Sequence, residues 1–194
     1  MSNERDWFEL LLGLMPARPG SGERIERGDV KDDLMNRFPK DFVRFQEVYG
    51  GVTIEDWLGV LIPDEINSPE GPWGGVEAAT EAARRVWTRD AESHAYSSSV
   101  SVVAWGGTSG GDLLCWATEG DIPDAWPIAV WFDDGHWEVY RCGMVEFLCR
   151  LLLVDTENPL NVPAYFRNVT RARALHWREE DALRSQDLEP WSML

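Results

Sequence analysis

The chain is poor in cysteine, histidine and positive charge, and each shortage argues against a class of function. Its cysteines, Cys115, Cys142 and Cys149, are odd in number and form no C-x-x-C pair, so neither a disulfide framework nor a zinc ribbon is expected. The three histidines lack the i,i+3 or i,i+4 spacing of a helical metal site, and no Walker loop or G-x-G-x-x-G fingerprint is present. We therefore expect free, buried thiols and no metal or other cofactor.

Long hydrophobic runs are also missing. The most apolar segment near the start, Trp7 to Met15, contains Glu9 and is too short to cross a bilayer. No basic region precedes it, so it does not resemble a signal peptide. Its pattern predicts an amphipathic helix with one apolar face that includes Phe8 and Leu11. A cytoplasmic protein is the resulting expectation.

Positive charge is scarce overall and unevenly distributed. Lysine and arginine number 18 against 34 acidic residues, which gives a net charge of −16. Residues 45–140 contain three arginines and seventeen acidic residues, a net charge of −14, whereas the segments before and after each carry −1. Such a field repels nucleic acid and anionic membranes and speeds encounter with a cationic partner. An acidic surface that only maintains solubility is the alternative, and the localisation of the charge argues against it.

One compact unit predicts a short helix that breaks into a strand. Pro39 fits the first helical position, where a missing N–H costs nothing. Phe42, Phe45 and Tyr49 follow as one apolar stripe with helical spacing. Gly50 fits a left-handed cap, and the alternating apolar residues after it predict a half-buried strand over 52–54.

The later elements alternate between helices and short strands. Helices are predicted over 76–90 and 144–154, and strands over 99–105, 113–117, 128–132 and 136–140. Asp133-Asp134-Gly135 is a strong hairpin signal between the last two strands. Segregated helices and antiparallel strands predict an α+β fold, mainly an antiparallel sheet with helices packed on it. The tail over 162–194 is predicted to form one or two helices that pack on the body, docking on a partner being the alternative.

These features, and their order along the chain, resemble those of the SUKH superfamily of Smi/Knr-like domains. The superfamily includes bacterial toxin-immunity proteins and fungal cell-wall regulators. The resemblance rests on the helix–Gly-Gly–strand unit of 38–54, the Val60-Leu61-Ile62-Pro63 strand end, the Gly-Gly-Asp loop ending at Asp112, the Trp126-Pro127-Ile128 segment and the Glu146-Phe147-Leu148 helix start. It implies a SUKH-like single domain over 30–158. An N-terminal helix and connector would occupy 1–29, and a C-terminal helical extension 159–194. The helix-bearing insertion after Pro63 and the tail depart from the family pattern.

The resemblance implies a protein-binding function. Bacterial members of the family bind and block a cognate toxin, often a nuclease or another enzyme that modifies nucleic acid. Such toxins present basic clefts, which an acidic surface complements. A regulatory or scaffold protein without a toxin partner, as the fungal members imply, is the alternative. The candidate contact residues are acids in the loop after Pro63 and at turns, with one tryptophan as an anchor: Asp64, Glu65, Glu70, Trp73, Asp112, Asp121, Asp124, Asp133 and Asp134.

Two tryptophans lie among acidic residues and are hard to bury on sequence alone. Trp57 follows Glu55 and Asp56, and Trp73 lies in a Gly/Pro-rich loop. An exposed tryptophan ringed by acids would suit a hot spot for a basic partner. A tryptophan that folds its own loop onto the core is the equal alternative.

One motif points to catalysis. Gly107-Thr108-Ser109-Gly110-Gly111 matches the G-x-S-x-G pattern of serine hydrolases, whose nucleophile lies between a strand and a substantial helix. A short apolar segment broken by glycine and proline follows here instead. His136, in a hairpin, and His176, in the arginine-rich tail, are not obviously presented to Ser109. We therefore expect the glycines to serve a turn and the protein not to be an enzyme, with a hydrolase using Ser109 as a remote alternative.

Overall fold

The chain folds around one seven-stranded antiparallel sheet with helices packed on it, which confirms the predicted α+β class. The computed structural model describes residues 6–23, 36–63, 75–153, 160, 162–163, 166 and 170–192. The strands are β1 (Val52–Ile54), β2 (Leu58–Val60), β3 (Val102–Thr108), β4 (Leu113–Ala117), β5 (Ile128–Phe132), β6 (His136–Tyr140) and β7 (Ala174–His176). The helices are α1 (Trp7–Leu14), α2 (Lys40–Val48), α3 (Val76–Arg89), α4 (Met144–Leu153) and α5 (Trp177–Arg184). Across the sheet the order is β6-β5-β4-β3-β2-β1-β7.

Helices cover both faces of the sheet. Side chains of a strand point alternately to its two faces, so Trp137 and Tyr140 of β6 lie on opposite sides. Tyr140 contacts Phe147 of α4, with ring centroids 5.4 Å apart. Trp137 contacts Trp87 of α3, at 4.8 Å. The sheet is therefore sandwiched between α4 on one face and α3 on the other.

The predicted helix–glycine–strand unit is present, with two differences. Phe42, Phe45 and Tyr49 are fully buried, which confirms the apolar stripe. Pro39 is the residue before the helix rather than its first residue, and its carbonyl accepts the N–H groups of Phe42 and Val43, both at 3.1 Å. A boundary shift of one residue lies within the ordinary fraying of helix ends.

The strand after this unit is buried on both faces, so the prediction of a half-buried strand was wrong. All three residues of β1 are buried. The polar one, Thr53, donates a hydrogen bond from its hydroxyl to the buried carboxylate of Glu180 in α5, at 2.7 Å. The tail covers the face of β1 on which Thr53 lies. The alternation of polar and apolar residues in a three-residue strand does not reveal that its polar face is also buried.

Strand β3 runs further than its sequence indicates. Predicted over 99–105, it spans 102–108 and includes Gly106 and Gly107, which pair with Val60 and Gly59 of β2. A Cβ on Gly106 would lie 2.5 Å from the carbonyl oxygen of Gly59, so the close approach of the two backbones requires glycine here. The predicted glycine loop therefore shrinks to a tight turn of residues 109–112.

The described part of the C-terminal extension over 159–194 contains a strand, β7, as well as a helix, α5. Strand β7 pairs with β1 in the register Val52↔His176 and Ile54↔Ala174, and α5 follows it directly. The tail thus packs on the body of its own chain. A three-residue strand is too short for sequence periodicity to separate it from the start of a helix.

The N-terminal helix α1 packs against α4. The Tyr49 hydroxyl donates to the carbonyl of Met15 at 2.6 Å, and the N–H of Ala172 donates to the carbonyl of Leu14 at 2.8 Å. These bonds tie α1 to both the central unit and the tail. Residues 24–35 and 64–74, which include the predicted loop after Pro63, fall outside the described residues.

The three cysteines are free, as predicted. Cys115 and Cys149 are buried, and Cys142 is half-buried. Burial raises the pKa of Cys142 to about 11 and that of Cys115 further still. Both groups are therefore thiols near neutral pH, which makes them poor nucleophiles.

We predict that Gly50→Ala destabilises the protein by about 2 kcal/mol or more, because the cost of a positive φ for alanine adds to the cost of a steric clash. Gly50 has φ of +67°, and a Cβ there would lie 2.7 Å from Nε2 of the buried His176. Gly20→Ala is the matched control, because Gly20 has φ of +82° with no atom within 4 Å of its Cβ position. Urea unfolding should show a larger loss of stability for Gly50→Ala. Equal losses would mean that only the backbone conformation matters.

Candidate functional site

The sheet topology sorts the acidic turns into two groups. Neighbouring strands are antiparallel, so the β1–β2, β3–β4 and β5–β6 turns lie at one end of the sheet and the β4–β5 connection at the other. Of the predicted contact residues, Asp112, Asp133 and Asp134 lie at the first end. Asp121 and Asp124 lie at the opposite end. The remaining four, Asp64, Glu65, Glu70 and Trp73, lie outside the described residues.

Hydrogen bonds join the three turns of the first end. The N–H of Ser109 donates to the carbonyl of Trp57 at 2.8 Å, which links the β3–β4 turn to the β1–β2 turn. The N–H of Asp133 donates to Oδ1 of Asp112 at 3.3 Å, which links the β3–β4 turn to the β5–β6 turn. We call the four aspartates of this surface, Asp56, Asp112, Asp133 and Asp134, the acidic end.

Within the acidic end, Asp112 shapes the turn and its neighbours present charge. The Thr108 hydroxyl donates to Oδ2 of Asp112 at 2.7 Å, and the N–H of Asp112 donates back to Thr108 Oγ1 at 3.2 Å. Gly111, with φ of +99°, completes the turn. Asp133 and Asp134 are exposed, and Asp134 contacts Nδ1 of His136. Asp112 therefore holds the turn together, and Asp133 and Asp134 are its exposed, charged neighbours.

No lysine or arginine among the described residues forms an ion pair with any of the four aspartates. The nearby Arg89 pairs with Asp90 at 2.7 Å, and its guanidinium lies 5.8 Å from the ring of Trp131. Arg89 therefore does not neutralise the acidic end, although Arg184 and Arg173 act on Asp56 without forming an ion pair with it.

Sequence reasoning missed Asp56. This residue is exposed, and it forms a tight turn with Glu55, at φ of +53° and +49°. Partial burial raises the pKa of Asp56, and the negative charges of Glu180 and Glu189 raise it further, whereas Arg184 and Arg173 oppose this shift. Two positive φ angles between antiparallel strands are typical of a type I′ hairpin, for which asparagine, aspartate and glycine are favoured. Glu55 at the first of these positions weakens that signal in the sequence.

Trp57 is buried, so it is not an exposed hot spot. Its side chain packs edge to face against Phe166, with ring centroids 5.2 Å apart, and only 5% of the residue is exposed. The alternative that this tryptophan folds its own turn onto the core is therefore correct.

At the opposite end of the sheet, Asp124 caps the first residue of α2. Its Oδ1 accepts the N–H of Lys40 at 2.8 Å, and its Oδ2 lies 2.7 Å from the Lys40 ammonium. Burial opposes ionisation of this carboxyl, but the bonds to Lys40 outweigh it and lower the pKa of Asp124. Asp121 is exposed. These two aspartates are thus not part of the acidic end.

A further carboxyl that sequence reasoning missed is Asp41. Its Oδ2 accepts the N–H of Val145 at 3.1 Å and so caps the start of α4. Its Oδ1 is buried and has no hydrogen-bond partner in the part of the chain that the structure describes. Burial raises the pKa of Asp41, and the negative charge of Asp124 raises it further. The hydrogen bond from the N–H of Val145 lowers this pKa but does not cancel the rise. No local motif indicates this role, because the two residues are over a hundred positions apart.

The G-x-S-x-G motif does not form a nucleophile elbow. Ser109 lies in the β3–β4 hairpin, and a strand rather than a helix follows it. His136 stacks on Phe132 at 4.5 Å, and His176 contacts the buried Glu23 at 2.9 Å. Neither histidine hydrogen-bonds to Ser109 within the described residues. The glycines serve a turn and a close backbone approach.

Comparison of the chain with protein-family models, with curated proteins and with solved structures gave no match. In the described ranges, no group of three or more histidine, cysteine or acidic side chains is arranged to hold a metal ion. No described helix combines the length and apolar character needed to cross a membrane.

We predict that Asp41→Asn gains stability relative to the parent chain as the pH rises from 3 to 7. Because the pKa of Asp41 is raised above its ordinary value of 3.8, the folded protein holds a proton that the unfolded chain loses first. The carboxyl therefore destabilises the fold as the pH rises through that range. Asparagine keeps an acceptor for Val145 and carries no charge.

The measurement is the free energy of unfolding of both proteins at several pH values. Asp6→Asn is the control, because Asp6 caps α1 through the N–H groups of Phe8 and Glu9 from an exposed position. A difference between Asp41→Asn and the parent that stays constant with pH would contradict the prediction.

Proposed function

We propose that this protein binds a basic protein partner through the acidic end, and that the partner is a toxin which the protein neutralises. The observation that carries the proposal is the convergence of Asp56, Asp112, Asp133 and Asp134 on one end of a rigid sheet, without an ion pair to lysine or arginine among the described residues. The SUKH resemblance of the sequence supports the second part. A nuclease or nucleic-acid-modifying enzyme is the favoured kind of toxin, because its substrate cleft is basic.

The acidic end is suited to fast association. Its charges lie on hairpin turns that hydrogen bonds hold together, so little order has to be gained on binding. Exposed charges of one sign steer an oppositely charged partner and raise the association rate by about 10-fold to 1,000-fold at low salt. Rim charges act mainly on association and on its salt dependence rather than on dissociation. A protein that must intercept a toxin gains directly from a high association rate.

The probe in this test is the protein encoded by the adjacent gene. Co-expression should rescue growth if that protein is a toxin. Purified, it should bind with an association rate that falls steeply between about 50 and 500 mM salt, since the Debye length shrinks over this range. Binding that is insensitive to salt, or no binding and no rescue, would contradict the proposal.

Paired charge variants locate the surface. Asp133→Asn with Asp134→Asn should lower the association rate about 10-fold at low salt. The control pair, Glu81→Gln with Glu92→Gln, removes the same charge from exposed positions on and just after α3. If the control pair slows association as much, only the net charge matters and the acidic end is not the interface.

A further inference from the structure

His136 lies between two carboxylates beside the acidic end. Its Nδ1 contacts Oδ1 of Asp134, and its Nε2 lies 3.7 Å from Oε1 of Glu138. A neutral imidazole has a hydrogen on only one ring nitrogen, so it donates to one of these carboxylates and turns a lone pair toward the other. An imidazolium has a hydrogen on both nitrogens and attracts both carboxylates. The arrangement therefore suits the protonated ring better than the neutral one.

Stacking and a hydrogen bond hold these groups in place on the β5–β6 hairpin. The ring of His136 lies parallel to that of Phe132 in β5, with centroids 4.5 Å apart. The Tyr140 hydroxyl donates to Oε2 of Glu138, and the Tyr140 ring packs against Phe147 of α4. Burial and the neighbouring Glu138 raise the pKa of Tyr140, so its hydroxyl keeps its hydrogen near neutral pH. These contacts keep the imidazole and the Glu138 carboxylate next to each other.

The charges around His136 are negative. In the part of the chain that the structure describes, neither Asp134 nor Glu138 forms an ion pair with lysine or arginine. The adjacent strand β5 contributes the uncharged Phe132, and the next residue of the turn is the exposed Asp133. Of the groups in contact with the two carboxylates, only His136 can gain a positive charge.

A proton on His136 changes what these carboxylates can bind. Histidine changes charge between about pH 5 and 8. Above this range the two carboxylates attract the cations of a partner, whereas below it the imidazolium pairs with them and repels those cations. The side chain of Asp134 is 73% exposed and that of Glu138 is 50% exposed, so a partner reaches both. Ion pairs this exposed contribute little to stability, so the fold does not depend on the exchange.

We propose that His136 switches the acidic end off as the pH falls, because its imidazolium takes the place of the partner's cation at Asp134 and Glu138. The inference rests on the proposed function, since it concerns the regulation of the same surface, and it adds Glu138 to that surface. The partner is bound near neutral pH and released below about pH 6. By linkage, a bound cation disfavours protonation of His136 by the same factor.

Nuclear magnetic resonance titration of the full chain tests the switch, with the peptide acetyl-Arg-Gly-Arg-Gly-Arg-amide as the probe. The peptide does not titrate between pH 5 and 8, because its ends are blocked and guanidinium groups stay charged. At low salt its Kd, followed at the Asp133 and Asp134 amide signals, should be about fourfold higher at pH 5.5 than at pH 7.5. Saturating peptide should lower the midpoint of the His136 ring titration by about 0.6 pH units, the logarithm of that factor.

Two histidine variants separate the switch from the general effect of pH. In His136→Gln the Kd should change less than about 1.5-fold between the two pH values, because glutamine does not titrate. His94→Gln is the matched control and should keep the fourfold change of the parent chain, because His94 stacks on Trp87 of α3 at 3.7 Å rather than on the hairpin. Titration of Asp56, whose pKa is raised, affects the parent chain and both variants alike.

The same pH dependence in the parent chain and in His136→Gln would overturn the inference. Tighter binding at pH 5.5 would also overturn it, as would loss of the pH effect in His94→Gln, because only the net charge would then matter. In each of these cases, binding at pH 7.5 that weakens with salt would leave the proposed function intact. A peptide that shifts neither Asp133 nor Asp134 at either pH would contradict both.

Discussion

The structure depends on the pairing of buried carboxylates between the tail and the first half of the chain. Glu55 accepts three hydrogen bonds from Arg173, one from its backbone N–H and two from its guanidinium, at 2.7 to 3.0 Å. Glu180 accepts the Thr53 hydroxyl and the Trp191 indole N–H. A buried carboxylate that loses its partner typically costs about 3–5 kcal/mol, so these contacts hold the tail in one register.

A third carboxylate extends this arrangement to the connector after α1. Glu23 accepts hydrogen bonds from His176 and Arg178, and these lower its pKa although burial opposes ionisation. Nδ1 of His176 accepts the N–H of Arg178 at 3.1 Å and caps α5, so Nε2 carries the hydrogen and donates it in a hydrogen bond to Oε1 of Glu23. Gly50 leaves room for this imidazole. The connector at Glu23 and the described part of the tail over 170–192 are thereby part of the same body as the sheet.

This arrangement frees both ends of the sheet for contacts. With helices on both faces, the sheet exposes its turns rather than its faces. The acidic end gathers charge on three linked hairpin turns, whereas Asp124 at the opposite end is already paired with Lys40.

Local patterns were good predictors where the signal lies within a few residues. The stripe of Phe42, Phe45 and Tyr49, the Asp-Asp-Gly hairpin and the alanine-rich α3 all form as predicted. Strand β7, the full burial of β1 and the extension of β3 through two glycines were missed. Each depends on a partner strand or helix distant in sequence, such as β7 against β1 or Gly106 against Gly59.

The sequence by itself determined the α+β class, the free cysteines, the hairpin turns and the large negative charge, because composition and short-range periodicity carry this information. Only the tertiary structure decided which acids act together. Asp112, Asp133 and Asp134 meet because antiparallel strands alternate their ends, and Asp56 joins them from a turn more than fifty residues earlier in the sequence. The same folding separated Asp124, which caps a helix through Lys40, and buried Trp57 against Phe166. A charge in a sequence shows what a residue can bind, but the fold determines whether a neighbour already binds it.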